Sequence, residues 1–208
     1  MAASVEELLQ NNPARLWRAR EAGAASAMPP GLPTGYAALD GCLPGQGWPR
    51  QGLIEILSDQ HGIGELELIM PALARLYAEG GAAGWLAWVS PPYLPYAPAI
   101  VTWGIDVSRV LVVHAVTSAE WAMEQAVRSG SCGAVLGWAP CRERQALRRL
   151  QLAAEHSNSL AVLFRRRREA SHPSPAVLRL ALEGSGEGLV VRILKSRGGR
   201  PSRVVLPR

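Results

Sequence analysis

Apolar residues along this chain fall into short dense runs that alternate with stretches of helical spacing and are punctuated by glycine. Leu53, Ile54, Ile56 and Leu57 form one such run. A turn over Ser58–Gly64 follows, and then Leu66, Ile69, Leu73 and Leu76 keep helical spacing across Glu65–Glu79. A dense apolar run without polar alternation marks a strand buried on both faces, as in a parallel sheet. The same grammar repeats as strand Trp85–Val89, a proline-rich crossover, strand Val110–His114, helix Ser118–Ser129, strand Ala134–Trp138, helix Arg142–Glu155 and strand Leu160–Phe164. Strands alternating with helices predict a parallel sheet covered on both faces, because right-handed crossovers place the helices there. Val177–Leu182 and Leu189–Leu194, joined through Gly184, Gly186 and Gly188, read as an antiparallel pair closing one edge.

The chain before the first strand has a different texture. Ser4–Gln10 reads as a short helix with Ser4 and Glu7 forming a capping box, and Pro13 opens a second helix to about Ala22. Leu8, Leu9, Leu16 and Trp17 are the candidate partner-binding positions on this arm. Gly23–Gly31 is a tether, and Leu32–Gln51 is rich in glycine and proline with Tyr36, Leu39 and Leu43 as its anchors. The expected organisation is an arm and tether over 1–30, an α/β core over 31–183, and a closing strand with a basic tail over 184–208.

At 208 residues and 48% hydrophobic composition, one globule can bury roughly 70% of its extended surface, so a folded core is expected. Cys42, Cys132 and Cys141 are too few and too scattered for a disulfide framework or a zinc site, which fits a reduced cytoplasmic setting. Glu6 and Glu7 stand where a secretory leader would be basic. The most apolar stretch, Trp85–Val101, is broken by Pro91, Pro92, Pro95 and Pro98, whereas a membrane helix needs about 20 uninterrupted apolar residues. His61, His114, His156 and His172 lack ligand spacing, and Ser58, Asp59 and His61 are neighbours in a turn, not a nucleophile, base and orienter. Neither metal nor cofactor is expected.

In open α/β sheets the ligand site lies beyond the carboxyl ends of the strands, which directs attention to Ser58, Asp59, Gln60, His61, Gly62, Ile63, Gly64 and Glu65. A phosphate-binding loop needs G-x-x-x-x-G-K-[ST]: amides that wrap phosphate, a lysine for the outer phosphates and a hydroxyl for magnesium. Here the lysine position falls on Gly64 and the hydroxyl position on Glu65, a carboxylate that repels a triphosphate. The chain's single lysine is Lys195, far away in the sequence. A magnesium-binding Asp is missing from the end of Ala134–Trp138, and Val89 and Ser90 stand where a general base is needed. The turn reads as a degenerate nucleotide loop, so catalysis is not expected.

Positive charge is the remaining signal, with a formal net charge of +5 carried almost wholly by arginine. Arg142, Arg144, Arg148 and Arg149 form a basic face on a helix whose apolar side is Leu147, Leu150 and Ala154. Arg165, Arg166, Arg167 and Arg168 are consecutive, and their crowding costs energy that a phosphate or acidic partner would relieve. Lys195, Arg197 and Arg200 add to a tail with no acidic residue after Glu187. These are the candidate contacts to DNA or an acidic partner. Trp85, Trp88, Trp103, Trp121 and Trp138 fall mostly at core positions, which leaves Trp17 and Trp48 as the exposed candidates.

The lead-in GLPTGYAALDGCLPGQGWPRQGLIEI, Gly31–Ile56, resembles the segment before the nucleotide loop of RecA, with its T-G-x-x-x-L-D phrase. WGIDVSRVLVV (Trp103–Val113), SPAVLRLAL (Ser174–Leu182) and VVRILKSRGGRP (Val190–Pro201) are similar to later RecA segments in the same order. The implied fold is a RecA-like, P-loop NTPase-type α/β domain with a mostly parallel sheet. Two ATP-less relatives fit. SPPYLPYAPAI (Ser90–Ile100), ALRRLQLAAE (Ala146–Glu155) and the ILKSRGG tail resemble the ImuA family, and Gly52–Phe164 is similar to the SulA family. The ImuA resemblance implies an accessory protein of SOS-induced mutagenic translesion synthesis, with an ImuB-type Y-family polymerase relative and an error-prone DNA polymerase III α-type subunit as partners, and RecA or DNA as further contacts. The SulA resemblance implies a cell-division inhibitor that binds FtsZ. In RecA the DNA-facing loops follow the fourth and fifth strands; the corresponding places here, Pro140–Arg144 and Arg165–Ser171, are much shorter.

Overall fold

A computed structural model describes residues 29–79, 84–115 and 118–207. The arm positions Leu8, Leu9, Leu16 and Trp17 lie outside the described residues. Eight strands form one sheet: β1 (Leu53–Leu57), β2 (Trp85–Val89), β3 (Val110–Val113), β4 (Cys132–Trp138), β5 (Leu160–Arg165), β6 (Leu178–Ser185), β7 (Gly188–Ser196) and β8 (Ser202–Leu206), in the order β3-β2-β4-β5-β1-β6-β7-β8. The six strands from β3 to β6 are mutually parallel. β7 runs antiparallel to both β6 and β8.

Among the described residues five α-helices accompany the sheet: α1 (Ala37–Asp40), α2 (Met70–Ala78), α3 (Ala97–Thr102), α4 (Ala119–Arg128) and α5 (Arg144–His156). Alternate residues of each strand reach opposite faces. Ile54, Ile56, Leu86, Trp88, Leu136 and Val162 pack with Leu39, Met70, Leu73 and Ile100 from α1, α2 and α3. Leu53, Ala87, Val89, Val135 and Leu163 pack with Met123, Val127, Leu147 and Leu150 from α4 and α5. Helices thus cover both faces, as the alternation of strands and helices predicts.

Several elements differ from the expectation. The helix read over Glu65–Glu79 begins only at Met70, with Pro71 in its first turn, where a missing N–H costs nothing. Residues 64–69 form tight turns instead, with the Leu68 amide donating to the Gly64 carbonyl. Short α3 lies inside the proline-rich crossover, again with proline in its first turn. β8 forms within the basic tail because Val204 pairs with Val191 and Leu206 closes over the core. Trp48 is not an exposed contact. It is fully buried, and its backbone exchanges hydrogen bonds of 2.7 and 2.8 Å with Leu32. Trp85, Trp103 and Trp121, read as core positions, are 47%, 39% and 61% exposed.

Candidate functional site

The loops that follow β1, β2, β4 and β5 gather at the carboxyl ends of the parallel strands, where the sheet's topology places a ligand site. The loop after β1 keeps the glycine conformations of a tight turn, with Gly62 at φ +77° and Gly64 at φ +111°, both in the left-handed region. Two of its amides are held by the loop's own carboxylate. The Gly62 N–H donates to Glu65 Oε1 at 2.8 Å and the Ile63 N–H to Oε2 at 3.0 Å, with the Glu65 side chain buried. Successive amides of this kind form an anion nest, and here the anion is the loop's own carboxylate. His61 Nδ1 stands 3.9 Å from Glu65 Oε1, Ser58 Oγ donates to the Gln60 carbonyl, and Asp59 accepts from the Arg167 amide.

The neighbouring strand ends make structural contacts. Ser90, read from the sequence as standing at a general-base position, donates its backbone N–H to the Val113 carbonyl and accepts from the Ala115 N–H, tying β2 to the end of β3. Trp138, read from the sequence as ending the strand where a magnesium-binding Asp is sought, stacks on Phe164 with ring centroids 4.6 Å apart and planes 9° apart. The two residues are register partners on β4 and β5. Among the described residues no group of three His, Cys, Asp or Glu side chains is arranged to hold a metal ion.

The run Arg165–Arg168 is not one basic patch. Arg165 continues the face of Ala161 and Leu163, and its side chain is 2% exposed. This overturns its reading as a DNA or partner contact. Burying a guanidinium requires full compensation, and Arg165 bonds to Glu55 Oε1 at 3.2 Å, Glu169 Oε2 at 3.0 Å and the Pro140 and Cys141 carbonyls. Glu55, fully buried in β1, also accepts from Arg179 Nε at 2.6 Å and from Ser174 Oγ at 3.0 Å. Arg179 in turn donates to the Glu169, Ala170 and His172 carbonyls. This network fastens the loops after β4 and β5 to the central strand. Arg167 pairs with Glu183 at 3.3 Å, and Arg168 lies 3.5 Å from Glu169. Arg166 and Arg168 remain exposed on the rim.

The other basic groups are dispersed. Arg142, Arg144 and Arg148 are exposed at and after the start of α5, whereas Arg149 reaches back to Glu124 on α4 at 3.1 Å. Lys195, Arg197 and Arg200 lie at the opposite end of the sheet, because Ser196 on β7 pairs with Leu178 at the start of β6. Lys195 donates to the Ser174 carbonyl at 2.9 Å, and its pKa is lowered by desolvation and by the neighbouring Arg179 and Arg197 charges. Arg197 pairs with Glu155.

Two features escaped the sequence reading. The segment between β2 and α3 presents Tyr93, Leu94 and Tyr96 at 72%, 81% and 72% exposure. Pro92 at its base, together with Trp138, Phe164, Ala139 and Ile56, lines a cleft of about 190 Å³ whose rim carries Arg166 and Arg168. The four prolines of Trp85–Val101 are the signal that this crossover cannot be an ordinary buried helix.

A family profile described as "Cell division inhibitor SulA" matches residues 53–161, from the start of β1 into β5. The chain belongs to the SulA family. Cell division inhibitor SulA of Photorhabdus laumondii is 32% identical over 101 residues, covering 47% of this chain and 55% of the relative. Cell division inhibitor SulA of Edwardsiella piscicida is 30% identical over 118 residues, 56% of this chain and 69% of the relative. Protein ImuA of Caulobacter vibrioides is 30% identical over 153 residues, 71% of this chain and 62% of the relative. The chain is thus related to both SulA and ImuA, and its matches span 55% and 62% of the lengths of the first SulA and ImuA relatives. The SulA family span contains the Glu65 nest, the exposed Tyr93–Tyr96 segment and Trp138, and ends before Arg165.

Proposed function

We propose that this protein is a non-catalytic, RecA-like accessory protein of SOS-induced mutagenic translesion synthesis, acting as a cytoplasmic adaptor through protein–protein contacts. The observation that carries the non-catalytic half is the bidentate hold of the Glu65 carboxylate by the Gly62 and Ile63 amides, which occupies two loop donors and places a negative charge where a nucleotide phosphate would sit. The RecA-like reading is supported by a central strand, β1, that leads through this loop into α2, and by a parallel sheet closed by the antiparallel β7. The adaptor half is supported by exposed Tyr93, Leu94 and Tyr96, because large apolar side chains clustered on one exposed segment mark an interaction surface. The partners proposed by resemblance are an ImuB-type polymerase relative, an error-prone DNA polymerase III α-type subunit and RecA.

Protein is favoured over DNA because the exposed basic residues are split between two ends of the sheet, whereas duplex binding calls for a contiguous basic stripe. Deleting the gene should abolish damage-induced mutagenesis and leave undamaged growth unchanged. Unchanged mutagenesis ends this reading. The second reading, a SulA-type division inhibitor that binds FtsZ, is favoured by the family match over residues 53–161. It predicts that overproduction causes filamentation relieved by a surface mutation in FtsZ.

A further inference from the structure

We infer that the cleft between the loops after β1, β2, β4 and β5 is an anchor pocket for one large apolar side chain carried on an acidic peptide of a partner protein. This inference rests on the adaptor reading and names the chemistry of the partner.

Volume and lining decide what fits. The cleft holds about 190 Å³ and is walled by Ile56, Pro92, Trp138, Ala139 and Phe164. An apolar cavity of roughly 150 Å³ suffices for a benzene ring, so a phenylalanine or leucine side chain can enter. Several polar groups around the cleft are already engaged, Ser58 with Gln60, Glu65 with the loop amides, and Arg165 with Glu55, Glu169 and two carbonyls, whereas the buried Trp138 indole N–H has no partner. One free indole donor among apolar walls would leave most polar edges of an inserted nucleobase without partners, which is costly. A hydrocarbon side chain brings no polar edge to satisfy.

Charge decides what surrounds the anchor. Arg166 and Arg168 stand exposed on the rim, and Arg142 and Arg144 are exposed where the loop after β4 enters α5. Among the described residues Arg166 makes no ion pair, and Arg168 shares Glu169 with the buried Arg165. Of the acidic groups on this side, Glu183 pairs with the Arg167 guanidinium and Glu169 with Arg165 and Arg168, while Asp59, which accepts from the Arg167 backbone N–H, and Glu143 stand exposed. Exposed Arg142, Arg144, Arg166 and Arg168 outnumber them, so an acidic partner segment meets a rim of net positive charge. Because the buried guanidinium of Arg165 fixes the Pro140 and Cys141 carbonyls, the wall between Trp138 and α5 is set before a partner arrives, which lowers the ordering cost of binding.

The test uses the full-length ¹⁵N-labelled protein and a capped synthetic peptide with one phenylalanine between runs of aspartate. The Trp138 indole N–H and the Ala139 and Arg166 amides should shift saturably. Replacing the peptide's phenylalanine by alanine should weaken binding at least about tenfold, as should lysine in place of aspartate. The exposed pair R166E/R168E should do the same and leave the melting temperature unchanged. A peptide that shifts only residues outside the cleft, binds as well with alanine, or is displaced from Trp138 by oligothymidylate overturns the pocket. Separately, Mg-ATP should leave the Gly62 and Ile63 amides unmoved; a saturable shift there would defeat the non-catalytic reading, not the pocket.

Discussion

Replacing Glu55 by glutamine should be among the most damaging single substitutions in this protein. Its carboxylate is fully buried and accepts from Arg165, Arg179 and Ser174 at 3.2, 2.6 and 3.0 Å. Arg165 and Arg179 are themselves 2% and 7% exposed, so water cannot take over their charge. An amide keeps the shape and removes the charge, leaving Arg179 buried without a counter-ion and Arg165 with Glu169 alone. Breaking a buried ion pair by removing one partner costs about 3–5 kcal/mol, a large share of the ~5–15 kcal/mol that holds a domain together. For a chain of this size that corresponds to a fall of roughly 6–20 °C in Tm. Urea and thermal unfolding followed by circular dichroism would read it, with Glu79→Gln as the control, since the Arg75–Glu79 pair is largely exposed and worth at most about 1 kcal/mol. Replacing Glu55, Arg165 and Arg179 together by apolar residues (E55L with R165M and R179M) should recover most of the loss, because the fourth member, Glu169, keeps the exposed Arg168 as its partner. A loss below about 1 kcal/mol for Glu55→Gln, or no recovery in the triple variant, would refute the reasoning.

Three further outcomes follow from other parts of the molecule. Glu65→Ala should release the Gly62 and Ile63 amides, speeding their hydrogen exchange on the order of tenfold at a cost of about 1–2 kcal/mol; unchanged exchange would show that the carboxylate does not hold the loop. Burial pushes the Cys141 thiol up to about 12 against the opposing influence of Arg165, so the folded state favours the neutral thiol and loses stability as pH rises from about 9 toward 12. Cys141→Ala should flatten that alkaline decline, and in the parent protein a thiol reagent at pH 8 should label the partly exposed Cys42 well before Cys141. Y93S combined with L94S and Y96S should change stability by less than about 0.5 kcal/mol per site yet abolish partner capture; retained capture would place the adaptor surface elsewhere.

The parts legible in the sequence are those where one physical signal dominates. β2 occupies the residues expected, Trp85–Val89, because an unbroken apolar run leaves no other register. The order of elements from β2 to β5 follows for the same reason. The start of α2 was not legible, because periodicity counts Leu66 and Ile69 and does not reveal that Glu65 turns back to bind amides. Arg165 was hidden inside a run of arginines, although strand parity from Ala161 and Leu163 already points it inward. Trp48 sits among glycines and prolines that read as surface, and only its cross-bridge to Leu32 buries it. The cleft was beyond reach because its walls come from four separate loops and strand ends.

The claim on which the account rests is that the loop after β1 has exchanged a nucleotide for its own carboxylate. Calorimetric titration of the full-length protein with Mg-ATP measures this directly. No saturable heat up to millimolar nucleotide is the result expected, and micromolar affinity with a one-to-one end point would contradict it.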